Sequence, residues 1–450
     1  MDLLNMAVMG SILAYVWRAQ DLWKTLGTIQ FPSLISLAAI GLFVFDSDAR
    51  RSLRGIKNPV TTSMCVIVAL AILSVPMSLN RGLSFYFVTD DLLKSFALFL
   101  ILAASIRSVA DVKRYSVAML AGGAFYAFLV ETTVNIGASG RLSNLAYYDA
   151  NDLGALLVDI IPFCLYFLVR AKNRVFRALS GATIILFILV IIKTGSRGAF
   201  LGLLVIGGYL LFVFREIPAR VRWTAVIVGA GTLIVMGGAQ YWEDMGTLLN
   251  LQADYNWSGK SDAGRIEVWT RGVGYMVTHP ITGVGVSAFP VAEGTISPIA
   301  DKQELGIGVK WSAAHNSFVQ IGAELGIGGL IAFIALCYYG YRISRGGKSK
   351  LESHGFSDAR LLGHTLAASM VGFVCTGFFL SMAYSAFIFT LCGLIVGVAK
   401  LAPKPVPNSL PQTSARRGRS VRSAPDARGA TGGGSSGPVR GARAAWPRAY

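Results

Sequence analysis

Charged residues are scarce in this chain. Only 14% of its 450 residues are Asp, Glu, Lys or Arg, whereas 54% are hydrophobic. In soluble globular proteins about a quarter of all residues are charged, so this composition excludes an ordinary soluble protein. The apolar residues recur in runs of about 18 or more, which is the length that a helix needs to cross a bilayer. We therefore predict an all-α, polytopic membrane protein.

The five cysteines also lack any pattern that would indicate chemistry. All of them lie inside apolar runs, and no two have the Cys-x-x-Cys spacing of a metal site. Buried thiols of this kind behave as small hydrophobic side chains. The chain contains no phosphate-binding loop sequence and no His-Glu-x-x-His motif. We therefore expect no disulfide framework, no metal site and no cofactor.

Apolar runs bounded by charged residues predict about twelve transmembrane helices. In chain order, their centres lie near Met9, Leu37, Ala69, Leu100, Phe125, Pro162, Ile185, Ile206, Gly229, Ile331, Val374 and Leu394. Lys and Arg residues are retained on the cytoplasmic side of a membrane. With the N-terminus inside, the inward loops hold nineteen basic residues and the short outward loops hold seven. We therefore predict a multi-pass protein with both termini in the cytoplasm.

Two segments depart from the pattern of short loops within the predicted transmembrane domain, residues 1–401. Residues 242–313 separate two predicted spans and lie on the outer side in this orientation, and a connection of that length is usually functional. Residues 402–450 are rich in Pro, Ser, Gly and Arg, which predicts a disordered basic cytoplasmic tail in contact with membrane lipids. No recognition fold accompanies this tail, so we expect no nucleic-acid partner.

The first candidate site is "IIKTGSRGAFLG", residues 191 to 202. Ser196 and Arg197 lie where one predicted span ends and the next begins. A helix that starts at about Gly198 would direct its unpaired N–H groups outward beside a guanidinium group, and together these suit a phosphate. The alternative is an interfacial arginine that anchors the end of a span.

The second candidate is "SDAGRIEVWTRGVGYMVTHPITGVG", residues 261 to 285 of the long loop. It predicts an amphipathic helix along the membrane surface, with Asp262 as its N-cap. Its polar side offers Arg265 and Arg271, although a solvated basic face is an equally simple interpretation. The apolar side consists of Ile266, Trp269, Val273 and Met276.

The third candidate is "KWSAAHNSFVQIGAELGIGGL", residues 310 to 330. Asn316, Gln320 and Glu324 are spaced four residues apart, so they form one polar stripe on an otherwise apolar helix. Such a stripe must face protein or a wet cavity, because exposure to lipid would cost several kcal/mol. His315 precedes the helix and titrates near neutrality, so it could move a proton. An interfacial helix cap is the alternative interpretation of this histidine.

In the predicted orientation, Arg197, Arg265 and His315 all lie at the outer face. Two guanidinium groups could bind a diphosphate and stabilise the charge that develops as it leaves, while an imidazole removes a proton from an attacking hydroxyl group. This combination indicates group transfer from a diphosphate-activated lipid without a metal ion. A secondary transporter or a lipid-linked-sugar flippase is the alternative, but transporters commonly show related halves and this sequence shows no repeat.

Three segments in this order resemble the O-antigen ligase and O-antigen polymerase family of bacterial envelope proteins: "SRGAFLG", "GRIEVW…HPITGVG" and "HNSFVQIGAELGIGGL". The similarity covers about residues 140–400. It includes "GRLSNLAYYDANDLGALLVDIIP", residues 140 to 162, in which Arg141 occupies a matching place.

The resemblance implies an inner-membrane glycosyltransferase that takes a glycan from undecaprenyl diphosphate at the periplasmic face. The acceptor would be a lipid A-core sugar in a ligase, another lipid-linked glycan in a polymerase, or a protein hydroxyl group in the related O-oligosaccharyltransferases. It also implies that Arg197 and Arg265 bind the donor diphosphate and that His315 activates the acceptor. Four further residues are weaker site candidates: Ser196, Arg141, Asn316 and Glu324.

Overall fold

A computed structural model describes most of the chain. The described residues are 2–18, 20, 28, 31–137, 140–143, 145, 148–250, 254, 256–257, 261–262, 264–302, 312–346 and 357–401. Contacts divide the chain into two units, Met1–Pro403 and Lys404–Tyr450. The predicted basic tail, residues 402–450, lies outside the described residues, so it stays a prediction.

The described residues form α-helices joined by turns and short 3-10 or π segments, which confirms the prediction of an all-α fold. The α-helices are α1 (Leu3–Tyr15), α2 (Phe31–Val44), α3 (Pro59–Ser74), α4 (Arg81–Phe87), α5 (Leu93–Ser105), α6 (Val109–Thr133), α7 (Ala150–Arg170), α8 (Arg174–Thr194), α9 (Arg197–Phe212), α10 (Ala219–Met236), α11 (Ala239–Gly246), α12 (Arg265–Thr278), α13 (Phe289–Thr295), α14 (Ser317–Arg345), α15 (Ser357–Gly377) and α16 (Ala386–Lys400). One isolated β-bridge pairs Ile136 with Leu142.

Seven helical stretches within the described ranges are long and apolar enough to cross a membrane. They are Pro59–Met77, Val109–Thr133, Ala150–Arg170, Arg174–Thr194, Ala219–Met236, Ser317–Arg345 and Asp358–Gly377. Four shorter apolar helices accompany them, namely α1, α2, α9 and α16. Each of the twelve predicted centres lies in a helix. The protein is therefore an integral membrane protein by length and composition, while the number of twelve crossings stays a prediction.

Helix α7 lies at the centre of the bundle, where it packs against α8, α9 and α15. Its only carboxylate in the middle of the span, Asp159, is fully buried. The hydroxyl group of Ser369 donates to the Asp159 carbonyl oxygen at 2.7 Å, and that of Thr376 lies 3.3 Å from the carboxyl group. Polar groups remote from water must find partners inside the protein. Asp159 therefore links α7 to α15.

Ionic contacts join the loops at the end of the bundle where α1 begins. The buried Arg51 guanidinium donates to Asp2 at 2.6 Å and to the Ser105 carbonyl oxygen at 3.4 Å. Arg107 donates to the same Asp2 oxygen at 2.6 Å and to Asp48 at 3.3 Å. Arginines that the sequence analysis assigned to cytoplasmic loops are thus engaged in ties between those loops.

Helix α14 is broken at Gly326, whose φ of 72° is not helical. The break leaves carbonyl oxygens of the preceding turn without their usual helical donors. The N–H groups of Val284 and Gly285 replace those donors, at 2.9 Å from the Ala323 oxygen and 3.1 Å from the Glu324 oxygen. The "HPITGVG" loop therefore completes the hydrogen bonding of a transmembrane helix.

The same loop contacts both the second half of α14 and the chain at the end of α3. After the break in α14, the Ile327 N–H donates to the Pro280 carbonyl oxygen at 2.9 Å. The Leu79 N–H donates to the Val284 oxygen at 3.0 Å, and the Val286 N–H donates to the Ser74 hydroxyl oxygen at 3.1 Å. The loop is thus wedged between α14 and the chain that follows α3.

The long loop builds a small hydrophobic core together with the start of α14. This core consists of Val268, Tyr275, Val284, Ala288, Phe289, Val291, Ala292, Ala314 and Ala323. A buried ion pair joins α12 to α13: Arg271 Nη2 lies 2.6 Å from Glu293 Oε2, and the Tyr275 hydroxyl group donates to Glu293 Oε1 at 2.7 Å. Arg271 is therefore a structural residue and does not belong to a solvated face.

The predicted amphipathic helix is present but differs in detail. It begins after Gly264, so the prediction of Asp262 as its N-cap is wrong. Its buried side carries Val268 and Tyr275, whereas the predicted apolar residues Ile266 and Val273 are exposed. The buried side packs against α13 and the start of α14, a contact that the sequence did not predict. The predicted contact of the apolar side with the membrane surface stays a prediction.

The break in α14 generates a stability prediction. Gly326→Ala should destabilise the protein by about 1–3 kcal/mol or more, because an L side chain at positive φ is strained and its Cβ would lie 2.4 Å from the Pro280 oxygen. Gly328→Ala is the matched control, since its Cβ would meet only Leu70 at 3.5 Å. Thermal unfolding of both variants in detergent measures the difference. Equal melting temperatures would contradict the role assigned to the break.

Candidate active site

The three residues predicted to carry the chemistry each stand at the N-terminal end of a helix. Arg197 and Arg265 are the first residues of α9 and α12, and His315 lies two residues before α14. Ser196 is the N-cap of α9, and its hydroxyl oxygen accepts the Ala199 N–H at 3.3 Å. Helix N-termini carry partial positive charge, so all three positions favour an anionic ligand.

The segment between α15 and α16 brings these residues together. The His315 N–H donates to the Ser381 hydroxyl oxygen at 2.9 Å. The Arg265 guanidinium carbon lies 5.9 Å from the centroid of the Phe379 ring. A Cβ placed on Gly198, next to Arg197, would lie 3.1 Å from the Phe379 Cβ. One short stretch of chain therefore contacts the surroundings of both arginines and the histidine.

Sequence reasoning missed this segment, "FFLSMAYS" at residues 378 to 385. It carries no charge and matches no motif, and its aromatic residues resemble the end of a span. The Ser317 hydroxyl group donates to the Leu380 oxygen at 2.7 Å and accepts the Met382 N–H at 2.9 Å. Its position against the start of α14 is a tertiary feature that no local pattern shows.

His315 is held in an unusual backbone conformation, with φ at 45°. The preceding carbonyl oxygen, on Ala314, accepts the Trp269 indole N–H at 2.9 Å, which ties α12 to this turn. The following residue, Asn316, is the N-cap of α14, and its side-chain oxygen accepts the N–H groups of Phe318 and Val319 at 2.8 and 3.1 Å. Asn316 therefore fixes the turn that presents the imidazole.

The surroundings of His315 favour its neutral form. Burial lowers the pKa of the imidazole, the charge on Arg265 lowers it further, and Asp149 opposes both. A half-buried histidine beside a guanidinium group is therefore unprotonated near neutral pH. In that state it can accept a proton from a neighbouring hydroxyl group.

Arg197 is paired with an aspartate of the long loop that the sequence analysis did not select. One guanidinium nitrogen, Nη1, contacts Asp254 Oδ2 and donates to the Thr247 hydroxyl oxygen at 2.9 Å. The Asp254 side chain is only 2% exposed, whereas that of Arg197 is 24% exposed. The guanidinium group is thus fixed from one side and still reachable from another.

Arg141 supports the turn that leads into α9. Its Nε donates to the Thr194 carbonyl oxygen at 2.8 Å, and its Nη2 donates to the Asn151 side chain at 2.7 Å. Gly195 has a φ of 56°, and a Cβ there would lie 2.9 Å from the Arg141 Cγ. The arginine therefore packs over this turn and links it to α7, one residue away from Ser196.

The polar stripe of α14 faces protein, as predicted. Gln320 accepts the Ala383 N–H at 3.4 Å, and the fully buried Glu324 carboxyl group accepts the Phe289 N–H at 3.3 Å. Glu324 lies nine residues after His315, which corresponds to about 13 Å along a helix. It therefore holds α13 at the break of α14 and does not share a contact with the imidazole.

An aromatic cluster surrounds Phe379, the ring that Arg265 contacts. Ring centroids lie 5.4 Å apart for Trp257 and Trp269, 5.2 Å for Trp269 and Phe378, and 6.3 Å for Trp257 and Phe379, all with edge-to-face geometry. Such pairs add stability beyond simple burial. The cluster joins the long loop, α12 and the segment after α15.

An apolar cavity of about 190 Å³ lies between α7, α8, α9 and α10. Its walls include Ile161, Ile188, Leu203, Gly207 and Leu233. Helix α9 forms one wall of this cavity and carries Arg197 as its first residue. Within the described ranges, no group of three or more His, Cys, Asp or Glu side chains could hold a metal ion.

The part of the chain that contains the three candidate residues is similar to a known protein family. Residues 182–334 match the family model described as O-antigen ligase, and this range contains Arg197, Arg265 and His315. This part of the chain is therefore similar to the O-antigen ligase family. The resemblance inferred from the sequence motifs is thereby confirmed.

A protein of Rickettsia conorii named "Putative polysaccharide ligase" is 27% identical to this chain over 192 residues. The alignment covers 42% of the chain and 44% of the relative. The chain thus spans less than half the length of this curated relative.

The electrostatics of His315 generate a prediction that does not depend on the reaction. Diethyl pyrocarbonate modifies the neutral imidazole, so the rate at which it modifies His315 should increase with pH. Mass spectrometry follows the modification, and the midpoint of the increase should lie below pH 6.5. Arg265→Gln removes a positive charge and should raise the midpoint. Asp149→Asn removes a negative charge and should lower it. A midpoint that neither change moves would contradict the proximity of these groups.

Proposed function

We propose that the protein transfers a glycan from an undecaprenyl-diphosphate carrier to an acceptor hydroxyl group at the periplasmic face of the bacterial inner membrane. The observation that carries the proposal is the convergence of Arg197, Arg265 and His315 on the segment 378–381. Similarity of residues 182–334 to the O-antigen ligase family supports glycan transfer. The excess of basic residues in the other set of loops supports the periplasmic side.

The two arginines are proposed to bind the diphosphate. Guanidinium groups bind phosphate oxygens in a bidentate manner, and the N-termini of α9 and α12 add backbone N–H groups and positive helix-dipole charge. Negative charge grows on the diphosphate as its bond to the sugar breaks. Donors that are already fixed stabilise such charge without reorganisation. The proposed reaction therefore needs no metal ion.

His315 is proposed to act as the general base. The acceptor oxygen attacks the anomeric carbon of the donor sugar, the bond from that carbon to the diphosphate oxygen breaks, and undecaprenyl diphosphate leaves with the electron pair. The proton of the acceptor hydroxyl group passes to the imidazole. A histidine whose pKa is lowered by burial and by Arg265 is in the correct protonation state for this step.

The apolar cavity beside α9 supports a lipid-linked donor. A polyprenyl chain is entirely apolar, and the cavity is lined by Ile, Leu, Val, Ala and Gly side chains. Because α9 carries Arg197 at its first residue, a headgroup at that arginine would leave its chain next to the helices that line this cavity. The donor would then be bound by charge at one end and by apolar contact along the bilayer.

We favour a ligase-type acceptor, such as a lipid A-core sugar. Both comparisons describe ligases: the matching family is the O-antigen ligase family, and the Rickettsia conorii relative is named for a polysaccharide ligase. Polymerases and protein O-oligosaccharyltransferases of the same family would use the same donor and the same proton transfer. The acceptor class therefore does not alter the roles proposed for the two arginines and the histidine.

The role of His315 is tested with His315→Asn, since asparagine tolerates positive φ better than most residues and cannot accept the proton. Transfer should fall by about 10²–10⁴-fold, the usual contribution of a general base. Lipid-linked donor should accumulate in cells while the protein still inserts in the membrane. His279→Asn, in the same outer region, is the control and should retain transfer. Wild-type product from His315→Asn would reject the assignment.

The role of Arg265 is tested with Arg265→Lys, which keeps the charge and removes the planar fork. Transfer should fall by about ten- to a hundredfold, because one fixed donor to the leaving group is lost. Arg220→Lys, on an exposed residue at the start of α10, should have no effect. Rates are compared in vesicles with equal amounts of inserted protein. Equal rates for Arg265→Lys and the wild type would show that Arg265 is only an anchor.

A further inference from the structure

Three described residues of the long loop, Asp254, Asn256 and Trp257, connect the two arginines to each other. We propose that Asp254 is the positioning residue of the diphosphate site: it fixes the Arg197 guanidinium group and, through its neighbours, sets that group relative to Arg265. The inference rests on the proposed function, since it assumes that the arginines bind the donor. It adds a residue that lies in none of the three motifs.

The first connection runs from Asp254 to Arg197. Burial leaves the Asp254 carboxylate almost without water, and such a charge requires a close counter-charge. Arg197 Nη1 supplies it, and the Thr247 hydroxyl oxygen accepts from the same nitrogen at 2.9 Å. With one nitrogen held by two acceptors, the plane of the guanidinium group can no longer rotate freely. Its partly exposed side is then presented in one orientation.

The second connection runs from Asp254 to the start of α12. The other carboxylate oxygen, Oδ1, accepts both the backbone N–H and the side-chain Nδ2 of Asn256, each at 3.0 Å. The Asn256 carbonyl oxygen accepts the Ile266 N–H at 3.2 Å. Ile266 follows Arg265 in the first turn of the helix. One buried carboxylate thus ties the N-terminus of α12 to Arg197.

Trp257 reinforces this connection. Its ring lies 6.3 Å from that of Phe379, and Arg265 lies over the same phenylalanine at 5.9 Å. The rings of Trp257 and Trp269 are 5.4 Å apart. The loop therefore fixes the backbone of α12 through Asn256 and the surroundings of the Arg265 side chain through Trp257.

A diphosphate places particular demands on this geometry. Its two phosphate groups are a fixed distance apart, so two guanidinium groups bind it well only when their separation is set before the ligand arrives. Asp254 contacts Arg197 and does not need to contact the ligand. A carboxylate that merely competed with the diphosphate for Arg197 would have the opposite effect, because its removal would strengthen binding.

Asp254→Asn distinguishes these roles, since asparagine keeps the shape and loses the charge. The probe is radiolabelled farnesyl diphosphate, bound at equilibrium by the full chain in detergent. The dissociation constant should rise about tenfold, as expected for a coupled pair in contact. Asp244→Asn is the matched control: this half-buried carboxylate lies in α11 of the same loop, 3.4 Å from the Gln240 amide nitrogen. It should bind as the wild type does.

A double-mutant cycle tests whether Asp254 acts through Arg197. Arg197→Gln alone should weaken binding, and addition of Asp254→Asn should then weaken it by a smaller factor than Asp254→Asn does in the wild type. Additive effects would overturn the proposal, because Asp254 would then act independently of the arginine. Tighter binding by Asp254→Asn would overturn it as well, since the carboxylate would be a competitor. Thermal unfolding of each variant identifies any loss of folded protein.

Thr247→Val is the second variant, which keeps the test decisive if Asp254→Asn fails to fold. It removes one acceptor from Arg197 Nη1 without removing a charge, so binding should weaken by a smaller factor than in Arg197→Gln. Wild-type binding by Thr247→Val would overturn the positioning role. Wild-type binding by Arg197→Gln would instead contradict the proposed function, so the two failures can be told apart.

Discussion

The pairing of backbone polar groups away from water is the constraint on which this structure depends. In hydrocarbon, an N–H or carbonyl group cannot turn to solvent, so a helix that breaks inside the bundle needs partners from elsewhere in the chain. Helix α14 breaks at Gly326, and the "HPITGVG" loop supplies two donors and one acceptor to its open turns. The long loop is therefore fixed to the bundle by individual hydrogen bonds. Because α12 ends where this loop begins, the same bonds fix the C-terminal end of the helix that starts at Arg265.

Much of the fold could be predicted from the sequence because membrane helices are encoded locally. Each predicted span centre lies in a helix, and α12 ends at His279, directly before Pro280. The buried side of α12 could not be predicted from its own periodicity. In the structure, Val268 and Tyr275 pack against α13, while Ile266 and Val273 are exposed. A helix with apolar residues on two sides offers two possible faces, and only the tertiary partner decides between them.

The candidate site was predictable only in part, for a similar reason. Arg197, Arg265 and His315 stand out because charged residues are rare in this chain and lie at predicted span ends. Phe379 and Ser381, which bring them together, are ordinary residues of an uncharged segment. Asp254 was missed because nothing in its local sequence distinguishes it from any other aspartate of a long loop. Its burial and its contact with Arg197 distinguish it from the other aspartates, and both are properties of the folded chain.

The three motifs combine residues that face a reaction with residues that build the scaffold. In "GRIEVW…HPITGVG", Arg265 lies at the site, whereas the final glycines approach α14 so closely that a Cβ at Gly283 would lie 2.2 Å from the Glu324 backbone. In "HNSFVQIGAELGIGGL", His315 lies at the site, whereas Asn316 caps the helix and Glu324 holds α13. A motif match therefore indicates a family without indicating which of its residues react. Geometry makes that separation, and it leaves two guanidinium groups and one imidazole as the proposed reacting groups.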